Sequence, residues 1–453
     1  MTEIQDSRWS DGSPSEWKID RLKDCLASFV GGEWGDDPDS DADGQDLVVL
    51  RVADFSNGTV KHDDLTIRRI KDSKIQQRLL TNSSLLVEKS GGGENQWVGR
   101  VVYPGALPFE AICSNFIAKL EVASAQHAKF LNYLFSALYD SNVNRPHVRQ
   151  TTGIQNLALY HYLGVNVALP PLPEQKRITA YLDASCAAID RAVETKQQQL
   201  ETLDALRKSI ITPAVLSGLS ETRPMHETGN VWLSRIPTGW KLVALKRVSE
   251  TQTGITLGKT YEPPLIERPY LRAANVQDGF LDLEKITMIE IPANLAARYE
   301  LQTGDVLMTE GGDLDKLGRG FPWEGQISGC LHQNHVFAIR TNPRLLLPRF
   351  LAYVTASRYG RDYFEATGKR TTNLASTNST KVDLFPIPLP SVEEQRFIVD
   401  HIDKKLDQAK QVDATITSQI TTLTAYRKSL IHECVTGKRR ISDADVAKVA
   451  AHD

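Results

Sequence analysis

The sequence predicts an α+β protein: two mixed α/β globules separated by two long antiparallel helices in a pseudo-two-fold arrangement. Three observations carry that reading. A block of some forty residues recurs once without a gap, each copy has the grammar of one long helix, and the chain before each copy alternates short apolar runs with glycine turns.

The repeat is the strongest signal, and repeats are sought first because missing one misreads the whole fold. Leu169-Pro-Pro-Leu-Pro-Glu-Gln-Lys-Arg-Ile178 returns as Leu389-Pro-Ser-Val-Glu-Glu-Gln-Arg-Phe-Ile398, an offset of 220 from 169 to 389. The offset holds through Asp183 and Asp403 to Arg207-Lys208-Ser209 and Arg427-Lys428-Ser429. A fainter repeat precedes each block. Pro14, Trp17, Leu22 and Lys23 match Pro237, Trp240, Leu245 and Lys246, while Leu50, Arg51, Ala53 and Gly58 match Leu271, Arg272, Ala274 and Gly279. Between these anchors the halves diverge.

Each block reads as a helix from its ends inward. Pro170, Pro171 and Pro173 precede or enter the first turn, and Glu174 follows, where proline and a carboxylate suit the unpaired N–H groups. Leu182, Ile189, Leu203 and Ile210, with Cys186, Val193 and Leu200, fall on two lines at heptad spacing. Ile402, Ala409, Ile416, Leu423 and Leu430, with Leu406 and Ile420, do the same. Such seams predict two helices of about 40 residues, each ~60 Å long. Gly218 and Gly437 stand where each should stop. Lys196 and Asp413 interrupt the seams; with antiparallel helices centred near residue 195 they would face each other as an ion pair that sets register. The resulting domains are 1–166, 167–220, 221–385 and 386–453.

In the globules, β-rich runs such as Asp46-Leu-Val-Val-Leu50, Val306-Leu-Met308 and His335-Val-Phe-Ala-Ile339 are expected as strands. One helix is expected before each long one, around Lys129–Phe135 and Arg349–Val354.

Composition bounds the function. The chain has 453 residues, enough for more than one core, with 41% hydrophobic and 24% charged residues and a net charge of −3. No apolar run approaches the ~18 residues of a membrane helix, the first residues lack a signal-peptide pattern, and the five cysteines are scattered. A cytoplasmic protein without membrane partners is expected. Balanced charge leaves room for a local basic face. The acidic run Asp36, Asp37, Asp39, Asp41, Asp43 and Asp46 reads as a solvated loop.

Catalytic motifs are missing. The loops of a base methyltransferase are absent. Gly258-Lys259-Thr260 lacks the glycine that a phosphate loop needs at 253, where Thr253 stands. Cys330-Leu-His332-Gln-Asn-His335 alternates like a strand, and no metal is expected there.

Two pairs of polar loops are better candidates for binding nucleic acid, since Lys and Arg meet phosphates or guanine, Asn and Gln read adenine, and glycine permits close approach. The first segment, 89–95, offers Lys89, Ser90, Gly92 and Asn95, and its counterpart after Glu310-Gly311-Gly312 offers Arg319. The second, 142–153, offers Arg145, His147 and Arg149. Its counterpart, 368–373, offers Lys369, Arg370, Thr372 and Asn373.

Two variable globules, each followed by a Leu-Pro-…-Glu-Gln-…-Ile helix that ends near Arg-Lys-Ser, resemble the specificity subunit of type I restriction–modification systems. The resemblance covers nearly the whole chain and is specific in the helix blocks. It implies target-recognition globules and no catalysis in this chain. It also implies that the chain reads a bipartite, asymmetric double-stranded DNA target. The partners it implies are two methylation subunits, which hold S-adenosylmethionine, and restriction subunits, which use ATP and Mg; no cofactor is expected in this chain. Glu174, Gln175, Arg207, Lys208, Glu394, Gln395, Arg427 and Lys428, polar residues of the repeated blocks, are candidate partner contacts. The alternatives are a non-catalytic coiled-coil scaffold whose globules bind proteins, and a fused enzyme that would need the missing motifs.

Overall fold

The computed structural model describes residues 9–451 apart from 10, 11, 39–42, 94, 95, 152, 221, 313–316, 319 and 371–374, with side chains except those of 151, 208 and 370. The chain forms two compact units, residues 1–196 with 418–453, and residues 197–417. The division runs through the middle of both long helices, not at the globule–helix junctions near 166 and 385. Packing explains this, because each half-helix shares the core of the globule it lies on.

The long helices span Leu172–Ser217 and Val392–Val435, 46 and 44 residues. Each ends at a glycine in the left-handed region, Gly218 (φ +75°) and Gly437 (φ +76°), where a side chain would be strained. In the first unit, Leu182, Cys186 and Ile189 pack with Leu430, Ile431 and Cys434. Asp190 pairs with Arg427, and Arg177, nearer the start of the first helix, pairs with Asp443, which follows the end of the second, so the two helical segments run antiparallel. The second unit repeats this with Ile211, Ala214 and Val215 against Ile398, Val399 and Ile402.

Both globules have one topology. A short antiparallel pair leads into the long helix: Lys18–Arg21 with Asn166–Leu169, and Lys241–Ala244 with Pro386–Leu389. A four-stranded antiparallel sheet follows, ordered Leu26–Gly31, Ile117–Val122, Ser84–Glu88, Val101–Val102 in the first unit. In the second it is Ser249–Thr253, Val336–Thr341, Asp305–Thr309, Gly320–Pro322. A three-stranded sheet with one parallel pairing adjoins it: Ala111–Cys113, Gln45–Leu50 and Ile67–Ile70, matched by Leu331–His332, Ile266–Leu271 and Thr287–Ile291. The strand over Leu331–His332 agrees with the alternation read there.

The expected globule helices are Ala128–Asp140 and Pro348–Ala356; Arg358–Thr367, in the second unit, is an addition. Apolar residues of the helix after His127, including Phe130, Leu134 and Leu138, are fully buried with Trp17 and Leu22. Each such burial contributes about 1.5–3 kcal/mol.

Two polar clamps, equivalent in the repeat, fix each globule helix to its long helix. Asp183 accepts from Lys129 Nζ (2.7 Å) and the Tyr133 hydroxyl (2.8 Å), and Asp403 accepts from Arg349 (3.0 Å) and the Tyr353 hydroxyl. Burial raises the pKa of both phenols, so they stay protonated donors. Gln175 Oε1 accepts from His127 N (2.9 Å) and Gln395 Oε1 from Leu347 N (2.8 Å).

Candidate nucleic-acid interface

Loops that are distant in sequence meet on a small outer sheet in each unit. In the first, Ser90–Gly91 pairs with Ile154–Leu157, which pairs with Val148–Thr151. In the second, Gly311–Gly312 pairs with Ala375–Ser376, which pairs with Lys369–Arg370. The structure thus joins the 89–95 segment to the 142–153 segment, and the Glu310 segment to the 368–373 segment.

The registers match residue by residue. Arg149 lies opposite Asn156 and Asn156 opposite Ser90; Lys369 lies opposite Ser376 and Ser376 opposite Gly311. Arg149 and Lys369 therefore hold one position in two copies of a scaffold, and both are exposed. Ser90 Oγ and Asn156 Oδ1 lie 2.7 Å apart, which joins the first two strands through side chains.

Gln155 organises the first sheet from beneath. It is buried, its Oε1 accepts from Val98 N (3.1 Å), and its Nε2 donates to Gly93 O (3.0 Å). Gly92 (φ +73°) sits so close that a Cβ there would lie 2.6 Å from Gln155 Oε1. Arg145 lies over the Trp97 ring at 4.8 Å, and the Trp97 carbonyl accepts from the Tyr139 hydroxyl at 2.7 Å. His147 is half-buried, 5.8 Å from the ring of the buried Tyr162. Asn95, Arg319, Thr372 and Asn373 lie outside the described residues, as does the Arg370 side chain.

Beside Ser90 and Gly92 opens a cleft of about 580 Å³, with Trp34, Arg51, Arg100, Asn115 and Phe116 among its walls. Its guanidiniums are internally neutralised: Arg51 pairs with buried Asp54 (2.9 Å) and Arg100 with buried Glu88 (2.8 Å). Trp34 and Phe116 remain 37% and 43% exposed, and the Arg68 guanidinium lies over the Trp34 ring at 5.0 Å. Sequence reasoning missed Trp34, Asn115, Phe116 and Gln155. The turn of Asn115 and Phe116 recurs as Asn334 and His335. Lys89 N donates to Phe116 O and Glu310 N to His335 O, both at 2.9 Å.

The helix-block residues sort differently from the expectation. Gln175 and Gln395, read as partner contacts, are buried and saturated inside their own units. Besides the clamps above, Gln175 Nε2 donates to Gln126 and Pro170 O, and Gln395 Nε2 to Leu345 O and Pro390 O. Glu174 pairs with Arg440 (3.1 Å), and Glu394 with Arg223 and the Trp240 indole N–H (3.0 Å). Arg427 is held by Asp190 and Lys428 by Asp140, both near 2.9 Å. Arg207 is half-buried, and the Lys208 side chain lies outside the described set. Lys196 and Asp413 are each half-buried, Lys196 in the first unit and Asp413 in the second. Gly258-Lys259-Thr260 is loop with no helix after it, unlike a phosphate loop.

Residues 14–202 match the family model for a type I restriction modification DNA specificity domain. The EcoKI specificity subunit of Escherichia coli K12 is 23% identical over 402 residues, 86% of this chain and 82% of that one. The putative MjaX specificity subunit of Methanocaldococcus jannaschii is 27% identical over 206 residues, 45% of this chain and 47% of that one, so the chain spans about half of that relative. Among solved structures, a chain from a study of assembly and conformational transition of the type I R-M system shares the fold. Its TM-score is 0.66 at 16% identity, over 93% of this chain and 98% of that one. The HsdS subunit from Thermoanaerobacter tengcongensis gives 0.50 at 15%, over 94% and 98%. The first globule thus matches a DNA specificity domain, and the second repeats the topology of its main sheets. In its first globule by family model, and along most of its length by relatives and fold, the chain is similar to the specificity subunits of type I restriction–modification systems.

Proposed function

We propose that this chain reads an asymmetric, two-part duplex target, one part per unit, and that it performs no chemistry on the DNA. The carrying observation is the outer sheet, built twice on one backbone plan with different side chains at matching positions. Identical readers would suit a palindrome, whereas unlike readers suit unlike half-sites. One globule reading a few base pairs gains only ~1–3 kcal/mol per good bidentate contact, so two readers together supply discrimination neither has alone.

Methylation subunits carrying S-adenosylmethionine, two per chain, and restriction subunits using ATP and Mg would supply the chemistry. The two long helices offer them repeated surfaces. Selection from a randomised duplex library, with the chain co-purified with its methylation partner, tests this reading. A gapped, asymmetric sequence whose affinity falls with salt is expected. A scaffold whose globules bind proteins would give no salt-dependent selection. Methylation of DNA by the chain alone with S-adenosylmethionine would overturn the non-catalytic assignment.

A further inference from the structure

We propose that Glu310 is a specificity-determining residue of the second unit, accepting from the exocyclic amino group of a cytosine in the major groove, and that His335 positions it. Lys89, at the equivalent position of the first unit, reads the acceptor edge of a guanine. The inference rests on the DNA-reading role proposed above for the outer sheets.

The equivalence is set by backbone bonds. Glu88 lies opposite Ile117, and Thr309 opposite Val336. One residue on, Lys89 and Glu310 donate to the carbonyls of Phe116 and His335, and their own carbonyls accept from Leu157 N and Thr377 N, each at 2.8 Å. Each residue joins the four-stranded sheet to the outer sheet, Lys89 leading into Ser90-Gly91 and Glu310 into Gly311-Gly312.

Charge separates anchoring from reading. At the position of Arg149 and Lys369 both units keep a cation, as a contact to phosphate requires, because phosphate charge is the same at every sequence. At the position of Lys89 and Glu310 the sign reverses. A carboxylate cannot anchor a phosphate, and beside a duplex it gains attraction only where a base donor meets it. Cytosine presents such a donor at N4. Adenine N6 is less suitable because the N7 acceptor beside it repels the second carboxylate oxygen.

The local geometry prepares Glu310 for this task. His335 Nδ1 lies 2.7 Å from Glu310 Oε2, and with a carboxylate as partner Nδ1 carries the proton. Among the described residues Oε1 has no hydrogen-bond partner, and the side chain is 28% exposed. Phe116 occupies the place of His335 beside Lys89, so the first unit has no donor there to hold an acid.

The test is library selection with the chain and its co-purified methylation partner, comparing the native protein with Glu310→Gln, Glu310→Lys, His335→Ala and Lys89→Ala. The native protein should select cytosine at one position of one half-site. Glu310→Gln and His335→Ala should weaken that preference about 5- to 150-fold, the equivalent of ~1–3 kcal/mol. Glu310→Lys should move it toward guanine, and the other half-site should stay unchanged. Lys89→Ala should relax a guanine in that other half-site, which keeps the inference testable if the Glu310 variants fold poorly. Unchanged base preference with tighter overall binding in Glu310→Gln would overturn it, since the acid would then only repel. A native protein that selects no sequence would instead overturn the DNA-reading role itself.

Discussion

Gln395 Oε1 accepts a 2.8 Å hydrogen bond from the backbone N–H of Leu347, the residue that caps the globule helix Pro348–Ala356. Its Nε2 donates to Leu345 O at 2.7 Å, and the side chain is completely buried. One amide therefore closes the first turn of one helix onto the first turn of another. Gln175 makes the same closure with His127.

Removing that amide should cost stability more than binding chemistry. Gln395→Ala removes the acceptor of the Leu347 N–H and the donor to the Leu345 and Pro390 carbonyls, a penalty of about 1–3 kcal/mol. Gln175→Ala should behave alike. Urea denaturation is expected to show both losses, against near-zero change for the exposed Glu393→Ala. Equal midpoints for Gln395→Ala and Glu393→Ala would refute the clamp.

Exchange of recognition units between relatives should depend on where the cuts fall. The core of the second globule includes Ile211, Ala214 and Val215 of one long helix and Ile398, Val399 and Ile402 of the other. Cuts near 221 and 385 separate these residues from their partners, while cuts at 197 and 417 keep them together. Soluble yield and thermal midpoint should be higher for the 197–417 exchange, and its recognised sequence should change in one half only. Better folding with the inner cuts would contradict the shared core.

The parts of this architecture legible in the sequence were those with a period. Heptad spacing located seam residues such as Leu182 and Ile402, both fully buried, and glycine marked both helix ends. The seams thin in mid-helix, where Leu203 is only half-buried, because the repeat spacing says nothing about how much packs against each line. Gln155 was illegible, since a buried glutamine in a strand has the same pattern as an exposed one. Equally hidden was the interior role of Gln175, whose repeat as Gln395 marks importance but not direction. Glu310 could have been found: Lys89 and Glu310 are separated by nearly the same offset as the helix blocks.

Salt dependence should separate the two classes of outer-sheet residue. Arg149→Ala and Lys369→Ala each remove one cation from an exposed anchoring position. Each should flatten the slope of log affinity against log salt by ~0.9. Titration of a specific duplex at several salt concentrations measures this, and an unchanged slope would return these residues to the ordinary surface.

Glycine substitutions test whether Gln155 shapes the reading surface. Gly92→Ala meets two obstacles, a left-handed backbone and the Gln155 amide at 2.6 Å; Gly153→Ala, at φ +84°, meets only the first. Left-handed strain costs ~1–3 kcal/mol in either case. The excess in Gly92→Ala should appear as weakened preference in the half-site read by the first unit, because moving Gln155 releases Gly93 and Val98. Matching selection profiles for the two variants would show that Gln155 does not set the surface.

The buried cysteines make the last expectation, on alkaline stability. All five are free and buried; burial pushes the thiols of Cys25, Cys113, Cys330 and Cys434 up to about 12 and that of Cys186 to about 11. In the unfolded chain they ionise near 9.0. A pKa raised on folding means the unfolded state releases protons first. The contribution to stability is therefore complete below pH ~9 and declines as pH rises toward 11–12. Buried Tyr162 and Tyr359 shift the same way and deepen the decline from about pH 10 upward. Thermal midpoints should hold level from pH 7 to 8.5 and fall beyond. Because the thiolate is the reactive form, iodoacetamide at pH 8 should label the folded chain only as fast as it unfolds. Rapid labelling of the folded protein, or a midpoint that rises between pH 9 and 10.5, would show that the thiols are not held neutral by burial.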